Sequence, residues 1–269
     1  MIKQNSVIKF FITVLAIFLL SNSLFATELK VGVHFDNYNS EGKNIFGASF
    51  NIKEFITDEI AINASLQNNK NNNYSAYCAG SYNKEDINFL GGLLFDIRNS
   101  RFSPGIIING DITIFDFLTL GANTNFTFST KNIFENYISE IETFVKFHCK
   151  NQEISLIYGY SHTNLFSEYQ NNDEDEKINP RDYSISGYLD VLAFDERSPC
   201  KIGLFFGAES YKKTHDESYN ILDINVGGRL VFDFKKVGIV ISGESTVYKI
   251  GEEQPSIPFA ISLTTKFEL

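Results

Sequence analysis

The ionisable residues of this chain lie on one side of short segments in which apolar and polar residues alternate. In the segment 222–233, aliphatic and aromatic side chains alternate with polar ones that include Asp223, Arg229 and Asp233. Successive side chains of a β-strand point to opposite faces, so this pattern predicts a sheet with one apolar and one charged face. Charged side chains that surround a water-filled passage select ions at close range, and this is the chemistry we expect here.

We expect the charged face to line the interior of a closed sheet. The candidate residues are Asp36, Lys53, Asp96, Asp111, Glu140, Glu142, Lys146, Asp190, Lys201, Glu209, Asp223, Arg229, Glu244 and Lys266. With Lys30, Asp233 and Glu268 the set holds eleven acids and six bases, so the interior is predicted to be net negative. The alternative is a plugged barrel in which acids and bases pair across the lumen and nothing passes.

Other residue types that could do chemistry lack the required spacing. The acidic loop 164–180 contains NNDEDEK, without the glycine and alternate-residue ligands of a calcium loop. His148 and Glu142 share one predicted strand but stand six residues apart, about 20 Å, which is too far for a catalytic pair. We therefore predict no enzyme, no catalytic or metal site and no cofactor.

The charged residues need strands to position them, and the pattern predicts fourteen. They cover about 28–36, 44–53, 60–67, 74–83, 88–97, 105–114, 118–128, 137–149, 154–163, 181–194, 200–210, 219–233, 237–249 and 259–269. Twelve strands remain an alternative if 74–83 and 137–149 are misread. No Asp, Glu, Lys or Arg lies among the outward side chains of the strand interiors, as expected where a charge would face lipid.

The connections between these strands alternate in length. One set is predicted to be mostly seven or more residues long and polar, as in 98–104 and 164–180, and the other mostly three to five residues. Long outer loops and short periplasmic turns alternate in this way in membrane barrels. Phenylalanines such as Phe55, Phe194 and Phe46 lie near the strand ends, which predicts two aromatic girdles.

Residues 1–26 have the features of a secretory signal peptide, with Lys3 and Lys9 before an apolar centre and small residues before Ala26. An uncleaved anchor is the alternative, although the apolar run is shorter than a membrane-spanning helix needs. We expect residues 27–269 to form a single domain. This part of the chain has 21 basic and 33 acidic residues, because the first 26 hold two lysines and no acid; its net charge of −12 argues against nucleic acid as a partner.

Three cysteines, Cys78, Cys149 and Cys200, are too few and too widely spaced for a disulfide scaffold. Cys149 and Cys200 are the likelier pair, because both lie near the same predicted rim. The sequence leaves their pairing open.

The last strand, PFAISLTTKFEL, carries a further signal. The chain resembles bacterial outer-membrane β-barrel proteins of the porin-like kind, over residues 28–269, by its strand rhythm and by the alternation of Phe259, Ile261, Leu263 and Phe267 in this strand. The resemblance implies recognition of the final strand by the outer-membrane insertion machinery. The family usually ends in Phe, whereas this chain ends in Leu269.

We therefore expect an all-β fold, a closed antiparallel up-and-down transmembrane barrel in the bacterial outer membrane. The expected function is a channel for passive diffusion of small hydrophilic solutes, with a preference for cations. The alternatives are a non-transporting surface protein, an adhesin or structural protein, or a secreted soluble ligand-binding barrel. The expected partners are membrane lipid, the insertion machinery and small solutes or cations, and the oligomeric state stays open.

Overall fold

The structure, a computed structural model, describes residues 27–36, 45–69, 73–98, 101–128, 137–163, 184–195, 198–211, 221–250 and 259–268. The predicted signal segment 1–26 and the acidic loop 164–180 lie outside these residues. The strands are β1 Thr27–Asp36, β2 Ile45–Phe55, β3 Ile60–Asn69, β4 Asn73–Lys84, β5 Ile87–Arg98, β6 Arg101–Thr113, β7 Leu118–Phe128, β8 Tyr137–Cys149, β9 Gln152–Thr163, β10 Ser184–Phe194, β11 Cys200–Tyr211, β12 Ile221–Phe234, β13 Val237–Ile250 and β14 Phe259–Glu268. In the described ranges no helix is long and apolar enough to cross a membrane.

The fourteen strands form one closed antiparallel barrel. Each strand pairs with its neighbours in sequence, and β1 also pairs with β14, with Leu29 opposite Phe267 and Gly32 opposite Thr264. Closure leaves no sheet edge with unpaired backbone groups, which is a requirement for strands in lipid. The predicted fold class and the strand number of fourteen are confirmed, and the alternative of twelve is wrong.

The two faces of each strand differ as the alternation predicts. On β11, Ile202, Leu204 and Phe206 are exposed, Leu204 to 66%, whereas Gly203 and Gly207 on the other face are buried. The exposed face is mostly aliphatic and aromatic along the described strands, while ion pairs and polar hydrogen bonds concentrate on the opposite face. The first face is therefore the exterior of the barrel and the second is its interior.

Two of the predicted long connections are short. Strands β5 and β6 are separated only by residues 99–100, because β6 begins at Arg101 and includes Pro104. Proline lacks a backbone N–H and is tolerated where no ladder bond is lost. Pro104 lies opposite Phe95 of β5, and the described ladder with β7 begins only at Gly105, so β6 extends past the proline. Similarly, β3 and β4 leave only 70–72 between them.

The barrel wall turns sharply around β6. Strands β5 and β7, which are not neighbours in the sheet, approach each other there. Ala79, Leu94 and Ile107 fill the inside of this corner and are only 3–6% exposed. A Cβ at Gly92 would meet the backbone of β4 at Ala79, so the corner depends on a glycine at this position.

A β-bulge changes the faces near the end of β13. The register between β12 and β13 shifts at Ile224/Asn225, where Val247 has no opposite residue. A bulge inserts one residue and moves the following side chains to the other face. Lys249 therefore lies opposite the interior residue Asp223 and joins the interior charges, which simple alternation along β13 does not predict.

The three cysteines are unpaired and lie on the exterior face. Cys78 lies in the middle of β4, and Cys149 and Cys200 lie next to short turns. Strands β9 and β10 separate Cys149 from Cys200, so their Cα atoms are about 14 Å apart at the usual strand spacing. This exceeds the span of a disulfide.

Candidate functional site

The interior face of the barrel holds the charged residues selected from the sequence. For thirteen of the fourteen the structure describes the side chain, and each follows the interior alternation of its strand. For Asp36 only the backbone position, opposite Ala260, is described. Asp96 is buried between Ser75 and Ser103, and Glu244 lies between Gly227 and Ala260. That these residues line an open passage remains a prediction.

A cluster of four charges joins the first and last strands near the short-turn rim. Lys266 Nζ lies 3.1 Å from Glu28 Oε2 and 2.8 Å from Glu268 Oε1, and Lys30 Nζ lies 2.9 Å from Glu28 Oε1. Two acids and two bases balance in this cluster. Glu28 was missing from the predicted interior set because it stands at the very start of the first strand.

A second polar chain runs from β6 to β9 near the same rim. His148 Nε2 is 2.8 Å from Thr119 Oγ1, which is itself 2.9 Å from Thr113 Oγ1. On its other side, His148 Nδ1 is 3.5 Å from Glu153 Oε2, and Lys146 Nζ is 3.8 Å from Glu153 Oε1. Glu153 had been assigned to a turn, so this second interior acid was also missed.

An ion pair crosses a strand at about half the height of the wall. Arg229 Nη1 of β12 lies 2.7 Å from Asp190 Oδ2 of β10, and β11 runs between them. Arg229 is 27% and Asp190 14% exposed, so both side chains are largely withdrawn from solvent. Gly203 lies opposite Arg229 on β11, and its missing side chain leaves room for the arginine to pass.

Two further pairs bring interior lysines to acids. Lys249 Nζ lies 3.8 Å from Asp223 Oδ1, with the buried Glu209 opposite Asp223 on β11. Lys201 Nζ lies 3.7 Å from Asp233 Oδ2 near the short-turn rim. Glu28 and Glu153 add two acids and Lys249 one base to the predicted interior set, so acids still outnumber bases.

Three interior carboxylates are held by amides. Asn123 Nδ2 donates to Glu142 Oε1 at 2.9 Å, and Asn88 Nδ2 donates to Asp111 Oδ1 at 2.8 Å. Asn125 Nδ2 donates to Glu140 Oε2 at a longer 3.4 Å. An amide fixes the orientation of a carboxylate without neutralising its charge. These contacts therefore hold negative charge in place inside the barrel.

Lysines also lie over aromatic rings on the interior face. Lys53 Nζ is 4.7 Å from the centre of the Phe55 ring, Lys146 Nζ is 5.1 Å from Phe144 and Lys201 Nζ is 6.0 Å from Phe194. Phe55 and Phe194 share the alternation of these lysines, so their prediction as girdle residues is wrong. The ammonium groups attract the faces of these aromatic rings and so hold the rings on the interior side of the barrel wall.

The girdle prediction fits other positions. Near the short turns, Phe89, Phe115, Phe117 and Phe234 are exposed. Toward the other rim, Phe35 packs on Phe46 and Phe259, Phe95 stacks on Phe102, and Phe126 packs on Phe128. Exterior rings thus concentrate at both ends of the described strands.

The barrel interior also carries an aromatic strip that the sequence pattern does not predict. Phe144 of β8 lies opposite Ile157 of β9, which lies opposite Tyr188 of β10, and Phe205 of β11 packs edge-on to Tyr188 with ring centres 6.5 Å apart. Each ring covers a glycine on the neighbouring strand: Gly121 under Phe144, Gly207 under Tyr188 and Gly227 under Phe205. The neighbouring rings therefore occupy the space that these interior glycines leave.

The interior chemistry is therefore that of charged and aromatic side chains. Within the described ranges, no group of three or more His, Cys, Asp or Glu side chains is arranged to hold a metal ion.

The fold is shared with several solved outer-membrane proteins. A bacterial polysaccharide outer membrane secretin matches with a TM-score of 0.58 at 8% identity, over 90% of this chain and 98% of its own. The CymD monoaromatic hydrocarbon channel matches with a TM-score of 0.57 at 8% identity, over 93% and 90%. The KdgM porin in complex with disordered oligogalacturonate matches with a TM-score of 0.50 at 6% identity, over 90% and 99%.

No protein-family profile matches this chain, and no curated relative is found. At identities this low, the structural likeness establishes the fold and nothing finer. This chain has the fold of the porin-like outer-membrane β-barrel proteins, which agrees with the predicted outer-membrane location.

Proposed function

We propose that this protein is a channel of the bacterial outer membrane through which small hydrophilic solutes diffuse passively, with a preference for cations. The observation that carries the proposal is the sidedness of the closed barrel, with aliphatic side chains outside and ion pairs, amides and carboxylates inside. A polar interior of this kind is typical of water-filled barrels. The shared fold with a channel and a porin supports the same role.

The cation preference rests on carboxylates that no described base neutralises. Glu142 and Asp111 are both held by asparagine amides, and neither has an ion-pair partner among the described residues. Most of the interior lysines, by contrast, lie close to acids. A fixed negative charge in a narrow passage raises the local concentration of cations.

We infer two partners outside the lumen. Membrane lipid would surround the exterior face, where residues such as Leu204 and Leu93 are exposed. The insertion machinery would recognise β14, whose outward residues Phe259, Ile261 and Leu263 are apolar and alternate as the resemblance requires.

A catalytic role is not proposed for the interior. The chain from Thr119 through His148 to Glu153 has the order of a nucleophile, a base and an acid. However, Thr119 is buried and its hydroxyl already contacts Thr113. A nucleophile must reach its substrate, so this chain is better explained as a structural hydrogen-bond network.

Recording ion current through the folded, purified barrel in a planar bilayer tests the proposal. A steady conductance is expected, and in a KCl gradient the reversal potential should show cation preference. The double variant Glu142→Gln with Asp111→Asn should move the reversal potential toward zero, because it removes charge and keeps size. Thr143→Val, on the exterior face beside Glu142, is the matched control and should leave the potential unchanged.

A folded barrel that carries no current would refute the channel and favour the plugged interior. Current with anion preference would refute only the role given to the carboxylates.

A further inference from the structure

We propose that the strip of Phe144, Ile157, Tyr188 and Phe205, together with Asp190 and Arg229, is a binding subsite inside the barrel. Its ligand would be a small, uncharged ring-shaped solute with one flat apolar face and a hydroxylated edge. This inference rests on the proposed function, because a solute reaches the strip only through an open lumen.

The strip crosses four neighbouring strands without interruption. Ile157 stands directly between Phe144 and Tyr188 in the register of β8, β9 and β10. Phe205 continues the strip onto β11, where it contacts Tyr188. All four residues lie about midway between the ends of their strands, so a solute that crosses the barrel must pass them.

Glycines fix how the rings lie. Because Gly121, Gly207 and Gly227 have no side chains, the rings of Phe144, Tyr188 and Phe205 settle against the wall of the neighbouring strand. The rings of Tyr188 and Phe205 are inclined to each other by 68°, and the Lys146 ammonium lies 5.1 Å from the centre of the Phe144 ring. None of the four residues is fully buried, as expected for a surface that a solute can touch. Rings held in place in this way offer apolar contact area at little cost in side-chain entropy.

The ion pair supplies the polar edge of the subsite. Asp190 lies directly opposite Phe205, so the Arg229–Asp190 pair borders the aromatic strip. A guanidinium has five N–H donors, and its described contact with Asp190 joins one of its two terminal nitrogens to the carboxylate. The remaining donors have no partner among the described residues, and in the proposed subsite they would bind oxygen atoms of a solute. Ser155, opposite Asp190 on β9, is buried at the same level.

The aromatic strip and the Arg229–Asp190 pair together should distinguish solutes by their shape more than by their charge. Apolar walls with a few convergent polar groups are typical of small-molecule sites, in which the polar groups fix orientation. Asp190 already balances the charge of Arg229, so a charged solute gains little from the pair. A ring with an apolar face can lie on the aromatic strip while its hydroxyl groups reach the guanidinium, and an acyclic polyol cannot present such a face.

The test measures how solutes reduce the current of the wild-type channel in a planar bilayer. The probes are glucose, its acyclic counterpart sorbitol, and 4-hydroxybenzyl alcohol. Glucose and 4-hydroxybenzyl alcohol both have a ring and hydroxyl groups, so comparing them shows whether the subsite prefers a sugar ring or an aromatic ring. We expect concentration-dependent block by at least one ring compound, at a concentration about tenfold or more below that of sorbitol.

The triple variant Phe144→Ala, Tyr188→Ala and Phe205→Ala should raise the half-blocking concentration of the ring compound toward that of sorbitol. Phe95→Ala removes a ring from the exterior face and is the control. Since the triple variant removes much packing, the single variant Tyr188→Leu is measured as well. The chain has no tryptophan, so Tyr188→Trp gives a single reporter whose fluorescence should change with the ring compound and not with sorbitol.

Equal block by rings and sorbitol, or block unchanged in Tyr188→Leu, would overturn the subsite and leave the channel intact. Absence of any current in the wild-type barrel would instead refute the proposed function, so the two failures are distinguishable.

Discussion

Arg229 reaches across a whole strand to bind Asp190, and it does so over Gly203. The Nη1–Oδ2 distance is 2.7 Å, although β11 separates the two strands that carry the pair. Arginine suits this position because its side chain is long and its planar guanidinium presents several donors. The pair ties together three neighbouring strands at mid-height, beyond what backbone hydrogen bonds contribute.

Replacing Gly203 with valine should break this pair. A Cβ at position 203 would lie 2.6 Å from Cγ and 2.9 Å from Nε of Arg229, which forces the arginine away from Asp190. Loss of a charge-assisted hydrogen bond at a largely buried site should lower the free energy of unfolding by about 1.5–3 kcal/mol. The measurement is urea unfolding of the barrel, and the folded fraction at each urea concentration is determined from the different migration of folded and unfolded protein on a detergent gel.

Gly187→Val is the control for that experiment. A Cβ there meets nothing within 4 Å, so the stability should change little. If both valine variants destabilise equally, the crossing of Arg229 over Gly203 is not what holds these strands.

The corner around β6 should be sensitive to a single methyl group. In Gly92→Ala the new methyl would meet Ala79 and the backbone oxygen of Cys78, and backbone atoms cannot move aside cheaply. Overpacking of this kind costs about 1–3 kcal/mol, so thermal unfolding should occur at a lower temperature. Gly80→Ala, on the exterior face of β4, meets no neighbouring atom and should behave like the wild type. A stable Gly92→Ala barrel would contradict the tight corner.

Adjacent residues on opposite faces should respond oppositely to a charge. Ile108 is exposed on the exterior of β6, whereas Asn109 next to it lies on the interior face. Ile108→Lys places an ammonium in lipid near mid-depth and should reduce stability by about 2–4 kcal/mol. Asn109→Lys places it in the lumen within reach of Asp111 and should fold normally. Refolding yield into lipid vesicles and urea unfolding compare the two, and a reversed order would overturn the assignment of the faces.

Cysteine labelling should report depth in the membrane. Cys78 lies in the middle of the exterior of β4, whereas Cys149 is the last residue of β8, beside the turn at 150–151. A water-soluble maleimide stays outside the hydrocarbon core of a membrane, which is about 30 Å thick. In membranes a water-soluble maleimide should label Cys149 and spare Cys78, and after unfolding in detergent both should react. Equal labelling rates in the folded state would place Cys78 in water.

The fold was predictable because alternation is a local property of the sequence. The exposure of Ile202, Leu204 and Phe206 beside the buried Gly203 and Gly207 repeats a pattern that can be read two residues at a time. A lipid exterior requires this alternation along every strand. The pattern can therefore be recognised even where the predicted strand ends are displaced by a few residues. Strand number and the interior position of most charges follow from it.

The features that the sequence did not predict correctly depend on contacts between strands. The bulge at Val247 moves Lys249 to the interior, and alternation along β13 alone cannot show where an extra residue enters. The ring of Phe144 lies over Gly121 because the register places them opposite each other, and a single strand does not carry that register. Phe55 was assigned to a girdle because position near a strand end does not distinguish the two faces.

Glu28 and Lys266 stand at opposite ends of the described chain, yet their side chains meet at 3.1 Å. Their contact joins β1 to β14, so it can form only after the twelve strands between them have taken their places. Loop closure over such a length is entropically costly and is compensated only late in assembly. The ion pair between Glu28 and Lys266 therefore forms at the step in which the open sheet closes into a barrel.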